Sequence, residues 1–369
     1  MTNRPTEALV MDALRTVQEP DLHRDLVTLN MIRDVMIDGD GAVSLTVVLT
    51  TPACPLKALI ERDVVAAVTK VPGVSGVKVN MSSAVTATQR PQDLAPGVRN
   101  IIGIASGKGG VGKSTVAANL AVSLAKLGAK VGLLDADIYG PNIPLMMGLV
   151  HEQPAVEKQK GPDGAEVDMI VPLESLDVKV MSMGFLIDDD QPVIWRGPML
   201  NSALRQFLGQ VDWGELDYLI VDLPPGTGDV QISLIQLVKV TGIVIVTTPQ
   251  DVALQDVRKG LMMFKSQNVP ILGIVENMSY FECPKCGDRT HIFGEGGGEK
   301  IANTYAVPFL GEIPLSSAVR VAGDSGEPIV EGEPDSPQAR TFREVAERLA
   351  AQVSIRNFGD ARQPAPLAD

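Results

Sequence analysis

Cysteine is scarce in this 369-residue chain, which holds only Cys54, Cys283 and Cys286. So few thiols cannot form a disulfide framework, and they point to a reducing compartment. Basic charge is also short. With 32 Lys and Arg against 45 Asp and Glu, the formal net charge is −13. That disfavours broad binding to nucleic acid or an anionic membrane, because both need a basic footprint. No uninterrupted apolar stretch reaches the ~18 residues that a membrane-crossing helix requires. The opening residues, Met1 to Glu7, lack the apolar core of a secretory signal, and no internal repeat stands out. The expectation is a cytoplasmic protein with one large α/β domain and one small one, with no membrane or nucleic-acid partner.

What the chain does have is concentrated. Gly107-Lys108-Gly109-Gly110-Val111-Gly112-Lys113-Ser114-Thr115 follows an apolar strand (Asn100 to Ser106) and leads into a helical pattern (Val116 to Leu127). Strand, GxxxxGK[ST] and helix in that order make a phosphate-binding loop. Its glycines let the backbone turn and aim N–H groups at phosphate oxygens. Lys113 is expected to reach the β/γ-phosphates, Ser114 to hold Mg²⁺, and the helix N-terminus to favour the anion.

From Asn100 onward, strands alternate with helices, the pattern of a doubly wound, mostly parallel sheet. Expected strands include Ile101–Ala105, Lys130–Leu134, Val178–Met183, Tyr218–Val221, Ile243–Thr247, Ile271–Glu276 and Pro308–Gly311. Expected helices include Pro198–Leu208, Asp229–Val238, Val252–Gln267 and Gly297–Tyr305. Residues 5–81 read as a small α+β domain with a hairpin around Asp38 to Gly41. Residues 82–99 read as a linker, 100–355 as the nucleotide-binding domain, His151 to Glu166 as a polar insertion, and 356–369 as a disordered tail.

Ligands of open α/β sheets bind at the carboxyl ends of the strands. Two expected strands end there in carboxylates: one in Asp135-Ala-Asp137, the other in Asp222, the expected Walker-B residue near Mg²⁺. Asp135 and Asp137, one residue apart, leave the strand on the same side. The glycines Gly226 and Gly228 permit a switch segment that senses the γ-phosphate.

Cys283-Pro-Lys-Cys286 has the spacing of a metal or redox motif. A redox pair would open a helix, and Gly287-Asp288 argues against one. Structural zinc and a cubane iron–sulfur cluster each need four ligands. This chain offers two thiolates, with His291 as a further candidate, so a two-fold dimer would complete either site. Cys54, in Thr51-Pro-Ala-Cys54-Pro55, reads as a small buried hydrophobe or as a thiol on an exposed loop.

With these residues in view, the chain resembles the Mrp/ApbC-type iron–sulfur cluster carriers. These lie within the deviant-Walker-A ATPases that include MinD, ParA and the nitrogenase iron protein. Lys108 to Ser114 matches their KGGVGK[ST] loop. Asp135 to Pro144 looks like the carriers' switch I, Asp222 to Asp229 like switch II, Trp195 to Pro198 like another of their runs, and Phe281 to Gly287 like their cluster loop. Thr50 to Leu56 resembles the small iron–sulfur assembly domain often fused to them. The resemblance implies ATP as substrate and Lys108 reaching a partner protomer's nucleotide. It also implies that Asp137 orients the attacking water, that Asp135 and Asp222 flank Mg²⁺, and that Asn277 contacts adenine. Cys283 and Cys286 would hold a bridging [4Fe–4S] cluster in a homodimer, taken from a cluster scaffold and passed to apo-proteins. Two alternatives stand beside this reading: a positioning or partition ATPase on a membrane or DNA, and a zinc-bridged dimer. The first needs a basic amphipathic helix or a basic face, and neither is visible.

Overall fold

The structure is a computed structural model that describes residues 4–85, 94–138, 140–160, 166–186, 197–226 and 228–360. These residues fall into two compact units: the N-terminal part together with the chain from Ser354 onward, and the long stretch between them that ends at Val353.

The smaller unit is built on a three-stranded sheet. Strand Ala42–Leu49 alternates strictly, burying Val43, Leu45, Val47 and Leu49, as a sheet with one covered face requires. It pairs antiparallel with Ile32–Ile37 and parallel with Gly76–Ser83. The hairpin turn is held by Asp38, whose Oδ1 accepts from the amides of Asp40 and Ala42 at 2.9 and 2.8 Å, the local bonding that favours Asp in turns. Helices Glu7–Leu14 and Lys57–Thr69 contribute Val10, Leu14, Ile60 and Val64 to its core. Cys54 is half-buried and packs against that core, which favours the small-hydrophobe reading.

In the larger unit nine of the described strands form one sheet. From one edge the order is Leu173–Ser175, Val178–Ser182, Val131–Asp135, Leu216–Asp222, Val98–Ser106, Gly242–Thr247 and Ile271–Glu282. The last pairs parallel with Phe309–Leu315 and antiparallel with Arg289–Thr290. The five strands from Val178–Ser182 to Gly242–Thr247 run parallel, as does the next, Ile271–Glu282. Gly242–Thr247 is buried at every position, because helices such as Lys113–Lys126 and Asp251–Ser266 cover the sheet. This is the α/β fold expected from the alternation.

Several boundaries differ from the sequence reading. The expected linker is narrower, since Ser82 and Ser83 finish one strand and Val98 and Arg99 begin another. The polar insertion contains an antiparallel pair, Val156–Lys160 with Glu166–Ile170. The expected tail is helical as far as Asp360, continuing Pro337–Asp360. Its apolar period ends at Val353, but Phe358 finds the core of the smaller unit, and that contact carries the helix past the point where a sequence pattern stops. The larger compact unit ends at Val353. Residues 86–93 of the linker, Tyr139, residues 161–165, Trp195 and Arg196, Thr227 and residues 361–369 lie outside the described residues. Among the described residues, no helix is long and apolar enough to cross a membrane.

Candidate nucleotide site and cysteine hairpin

Strand Val98–Ser106 delivers the chain into the loop Gly107 to Gly112, and helix Lys113–Lys126 starts directly after it. Gly110 and Gly112 sit at φ +78° and +79°, a left-handed conformation that glycine adopts without a Cβ penalty. Gly112 is constrained twice, because a Cβ there would lie 2.2 Å from Asn277 Nδ2. The loop walls an open cleft of about 500 Å³, with Asp137, Asn142, Met146 and Pro225 on the far side.

Lys113 is 6% exposed. Its Nζ lies 2.6 Å from Asp222 Oδ1, 3.4 Å from Ser114 Oγ and 3.5 Å from Asp137 Oδ2. A buried ammonium is tolerable only with such company. Asp222 is fully buried at its strand's end, and burial pushes its carboxyl up against the pull of Lys113. Its Oδ2 is buried without a hydrogen-bond partner.

Asp135 stands beside Asp222 in register on the neighbouring strand, yet its bonding differs. Oδ1 accepts from the Asp137 amide at 3.1 Å, and Oδ2 accepts from the Ile143 amide at 3.2 Å and from Ser182 Oγ at 3.0 Å. Both oxygens brace the segment that follows the strand. Burial, and after it the Asp222 charge, push the Asp135 carboxyl up to about 8.

The segment after Asp222 is also tied down. Gly226 N donates to Ser106 O at 2.8 Å. Buried Gln231 donates from Nε2 to the carbonyls of Pro224 and Gly226, at 2.7 and 3.1 Å. Lys108 Nζ donates to Gln250 Oε1 at 3.3 Å, so within one chain this second lysine lies against the loop that opens helix Asp251–Ser266. Asn277, 6% exposed, donates from Nδ2 to the carbonyl of Val111 at 2.8 Å.

Asn277 lies on strand Ile271–Glu282, which is longer than its expected span and carries the chain directly to the cysteines. Cys283 to Asp288 form the tip of a hairpin in which Phe281 pairs with Thr290 and Glu282 with Arg289. The tip is closed by Cys283 N to Asp288 O at 2.9 Å and Gly287 N to Cys283 O at 2.8 Å. Both thiols are free, Cys283 half-buried and Cys286 exposed. The backbone N–H groups of Lys285 and then Cys286 hold the Cys283 thiol below its ordinary range, as sulfur acting as a thiolate ligand requires. His291 instead stacks edge-on to Tyr280 and faces Glu295 at 3.7 Å. Among the described residues, no group of three His, Cys, Asp or Glu side chains is placed to hold a metal ion.

The structure thus brings Lys113, Ser114, Asp137 and Asp222 together, sets Asp135 behind them, and puts the cysteines at the end of the strand that touches the loop. Gln231, Ser182 and Gln250 were not visible from the sequence. Ser182 and Gln250 act through partners 47 and 142 residues away, and Gln231 bonds carbonyls five and seven residues back with no local spacing to mark it.

The family model described as ParA, the NUBPL iron-transfer P-loop NTPase, matches residues 97–350, and that of an iron–sulfur cluster assembly protein matches 7–81. The chain is 55% identical over 354 residues to the iron–sulfur cluster carrier protein of Synechocystis sp., covering 95% of this chain and 98% of that one. It is 50% identical over 262 residues to the iron–sulfur cluster transfer protein NUBPL of Dictyostelium discoideum, covering 71% and 79%. The solved structure of a nucleotide-binding protein in complex with ADP from Archaeoglobus fulgidus is similar at 42% identity and a TM-score of 0.55. The match covers 64% of this chain and 91% of that one.

Proposed function

This chain belongs to the NUBPL iron-transfer family of P-loop NTPases, and we propose that it is a cytoplasmic, homodimeric carrier that uses ATP to control a bridging [4Fe–4S] cluster. One observation carries the proposal. The hairpin tip presents two thiols to solvent, and no third ligating side chain gathers with them among the described residues. Four thiolates then require two copies of the hairpin across a two-fold axis. The cluster is cargo, received from a scaffold and passed to apo-proteins.

The nucleotide chemistry follows from the ion cluster. Within the chain, Lys113 is held by Asp222 and Asp137. The β- and γ-phosphates of ATP offer its ammonium better-matched oxygens, and the loop amides take the remaining phosphate charge. Lys113 then leaves Asp137, whose carboxylate accepts a hydrogen bond from the attacking water. Ser114 Oγ and the unpartnered Asp222 Oδ2 are hard oxygen donors that suit Mg²⁺. When bound, the ion would neutralise charge on the phosphates. Asp135, with both oxygens occupied, serves better as the brace of this wall than as a metal ligand. Lys108 reaches the partner protomer's nucleotide after leaving Gln250, and Asn277 contacts the adenine.

Anaerobic reconstitution with iron and sulfide tests the cluster. The wild-type chain is expected to take up one four-iron cluster per two chains, read by visible absorption and by iron and sulfide content. Cys283→Ala and Cys286→Ala each abolish uptake while leaving nucleotide affinity nearly unchanged. A colourless protein with stoichiometric zinc would show the zinc-bridged dimer instead, and full uptake by either variant would sink the assignment.

A further inference from the structure

The strand that leads into Cys283 also carries Asn277, six residues before that cysteine, and the Asn277 side chain is bonded to the phosphate-binding loop. Between these points the strand is irregular. After a first shift between Ile274 and Val275, pairing with Phe309–Leu315 is regular from Val275 opposite Gly311 to Asn277 opposite Ile313, then resumes at Phe281 opposite Leu315. Four residues on one strand therefore span two on the other, a bulge that stores extra chain. Within it, Met278 sits at φ +56°, a conformation costly for a residue with a Cβ and kept only where its neighbours impose it.

The neighbours that impose it are identifiable. On one side Asn277 Nδ2 holds the Val111 carbonyl at 2.8 Å. On the other, Ser279 Oγ donates to Glu276 Oε1 at 2.7 Å, and Glu276 Oε2 accepts from the Gly298 amide. Glu276 and Ser279 are fully buried, so this second anchor is fixed to helix Gly297–Tyr305. The bulge thus has one anchor on the body of the fold and one on the loop that must receive phosphate. Val111 lies between the two left-handed glycines of that loop, Gly110 and Gly112, so any turn of its peptide on phosphate binding acts on the Asn277 bond.

We propose that Asn277 is a positioning residue. Through the Val111 carbonyl it sets the bulge at Met278, so that nucleotide occupancy changes how the hairpin presents Cys283 and Cys286. This rests on the reading that those cysteines hold the cargo, and it gives Asn277 a role beyond any contact with adenine. The route is short, physically continuous and contained in one strand. A coupling claim of this kind needs an element that both sites bias, and the bulge is that element.

The test uses the cluster-free full chain, kept reduced. Iodoacetamide labelling of each cysteine is followed by mass spectrometry, without nucleotide and with saturating Mg-ADP. In the wild type, labelling of Cys283 and Cys286 is expected to change about fivefold or more, while Cys54, in the other compact unit, labels at one rate throughout. In Asn277→Ala at saturating nucleotide the two rates converge, even if more nucleotide is needed to saturate. Retained wild-type dependence in Asn277→Ala would reduce the residue to an adenine contact and overturn the proposal. So would wild-type rates that ignore nucleotide. Light scattering on the same samples identifies shielding by a second copy, which would survive the substitution and likewise overturn it. If Asn277→Ala does not fold, hydrogen exchange on the wild type decides. Nucleotide is expected to alter exchange at residues 277–282, and an unchanged segment there defeats the proposal. Because no cluster is present, failed reconstitution would sink the cargo reading and leave this result standing.

Discussion

The nucleotide cradle and the cysteine hairpin share a strand but are built on opposite plans. In the cradle, charge is buried and balanced within one chain: Lys113 is 6% exposed and lies against two carboxylates. At the hairpin tip the two thiols are exposed or half-buried, and among the described residues no third ligating side chain gathers with them. Burial raises the carboxyls of Asp135 and Asp222, whereas backbone N–H groups lower the Cys283 thiol. A site that must close around its ligand invests in buried strands and pays in desolvation. On the proposed reading, the hairpin hands its ligand over, and it stays at the surface and leaves half its ligand set to another molecule.

The sharpest way to break the comparison is Lys113→Ala. Removing the cation leaves Asp222 buried and uncompensated, so a loss of about 3–5 kcal/mol is expected in urea unfolding, together with loss of ATP binding by calorimetry. Nucleotide-free cluster loading should persist. Gly112→Ala comes next. It puts a Cβ 2.2 Å from Asn277 Nδ2 on a left-handed residue, and about 1–2 kcal/mol of destabilisation is expected, with weakened nucleotide affinity. A different axis of the comparison is the pH effect of Asp135. Its carboxyl is raised to about 8, so the fold holds a proton that the unfolded chain releases near the ordinary carboxylate value of ~4. Stability from this group is therefore complete below that value and is lost as pH rises through about 8. Melting of the metal-free protein across that window should show a shallower fall in Asp135→Asn than in wild type. Smallest is Cys286→Ala, which removes an exposed side chain. Its effect on unfolding should stay within about 0.5 kcal/mol, although cluster uptake disappears.

What could be read from the sequence was whatever is contiguous in it. Strand, glycine loop and Lys113 follow one another, and the cysteines are three residues apart, so both carried their chemistry in plain spacing. Asp135 and Asp222 could be placed at strand ends, but their different roles could not. That difference depends on Ser182, 47 residues from Asp135, and on Lys113, 109 residues from Asp222. The bond from Asn277 to Val111 joins residues 166 apart, and no periodicity announces it. The helix Pro337–Asp360 was not among the expected helices, although Ala339, Phe342, Val345, Ala346, Leu349, Ala350 and Val353 are buried at helical spacing. Its last turns lack that spacing because they answer to a different core.

That last point bears on how the chain can be divided. Phe358 packs with Val10, Leu14 and their neighbours, and the residues from Ser354 onward cluster with the first unit. In chain order, the ATPase is an insert within the smaller domain, which borrows its final piece from the far end of the polypeptide. A fragment stopped after residue 85 would keep its sheet but forfeit the Phe358 ring, and a chain clipped after Val353 would damage a domain that begins some three hundred residues earlier. Excision of either part by a single cut is therefore not a neutral operation on the other.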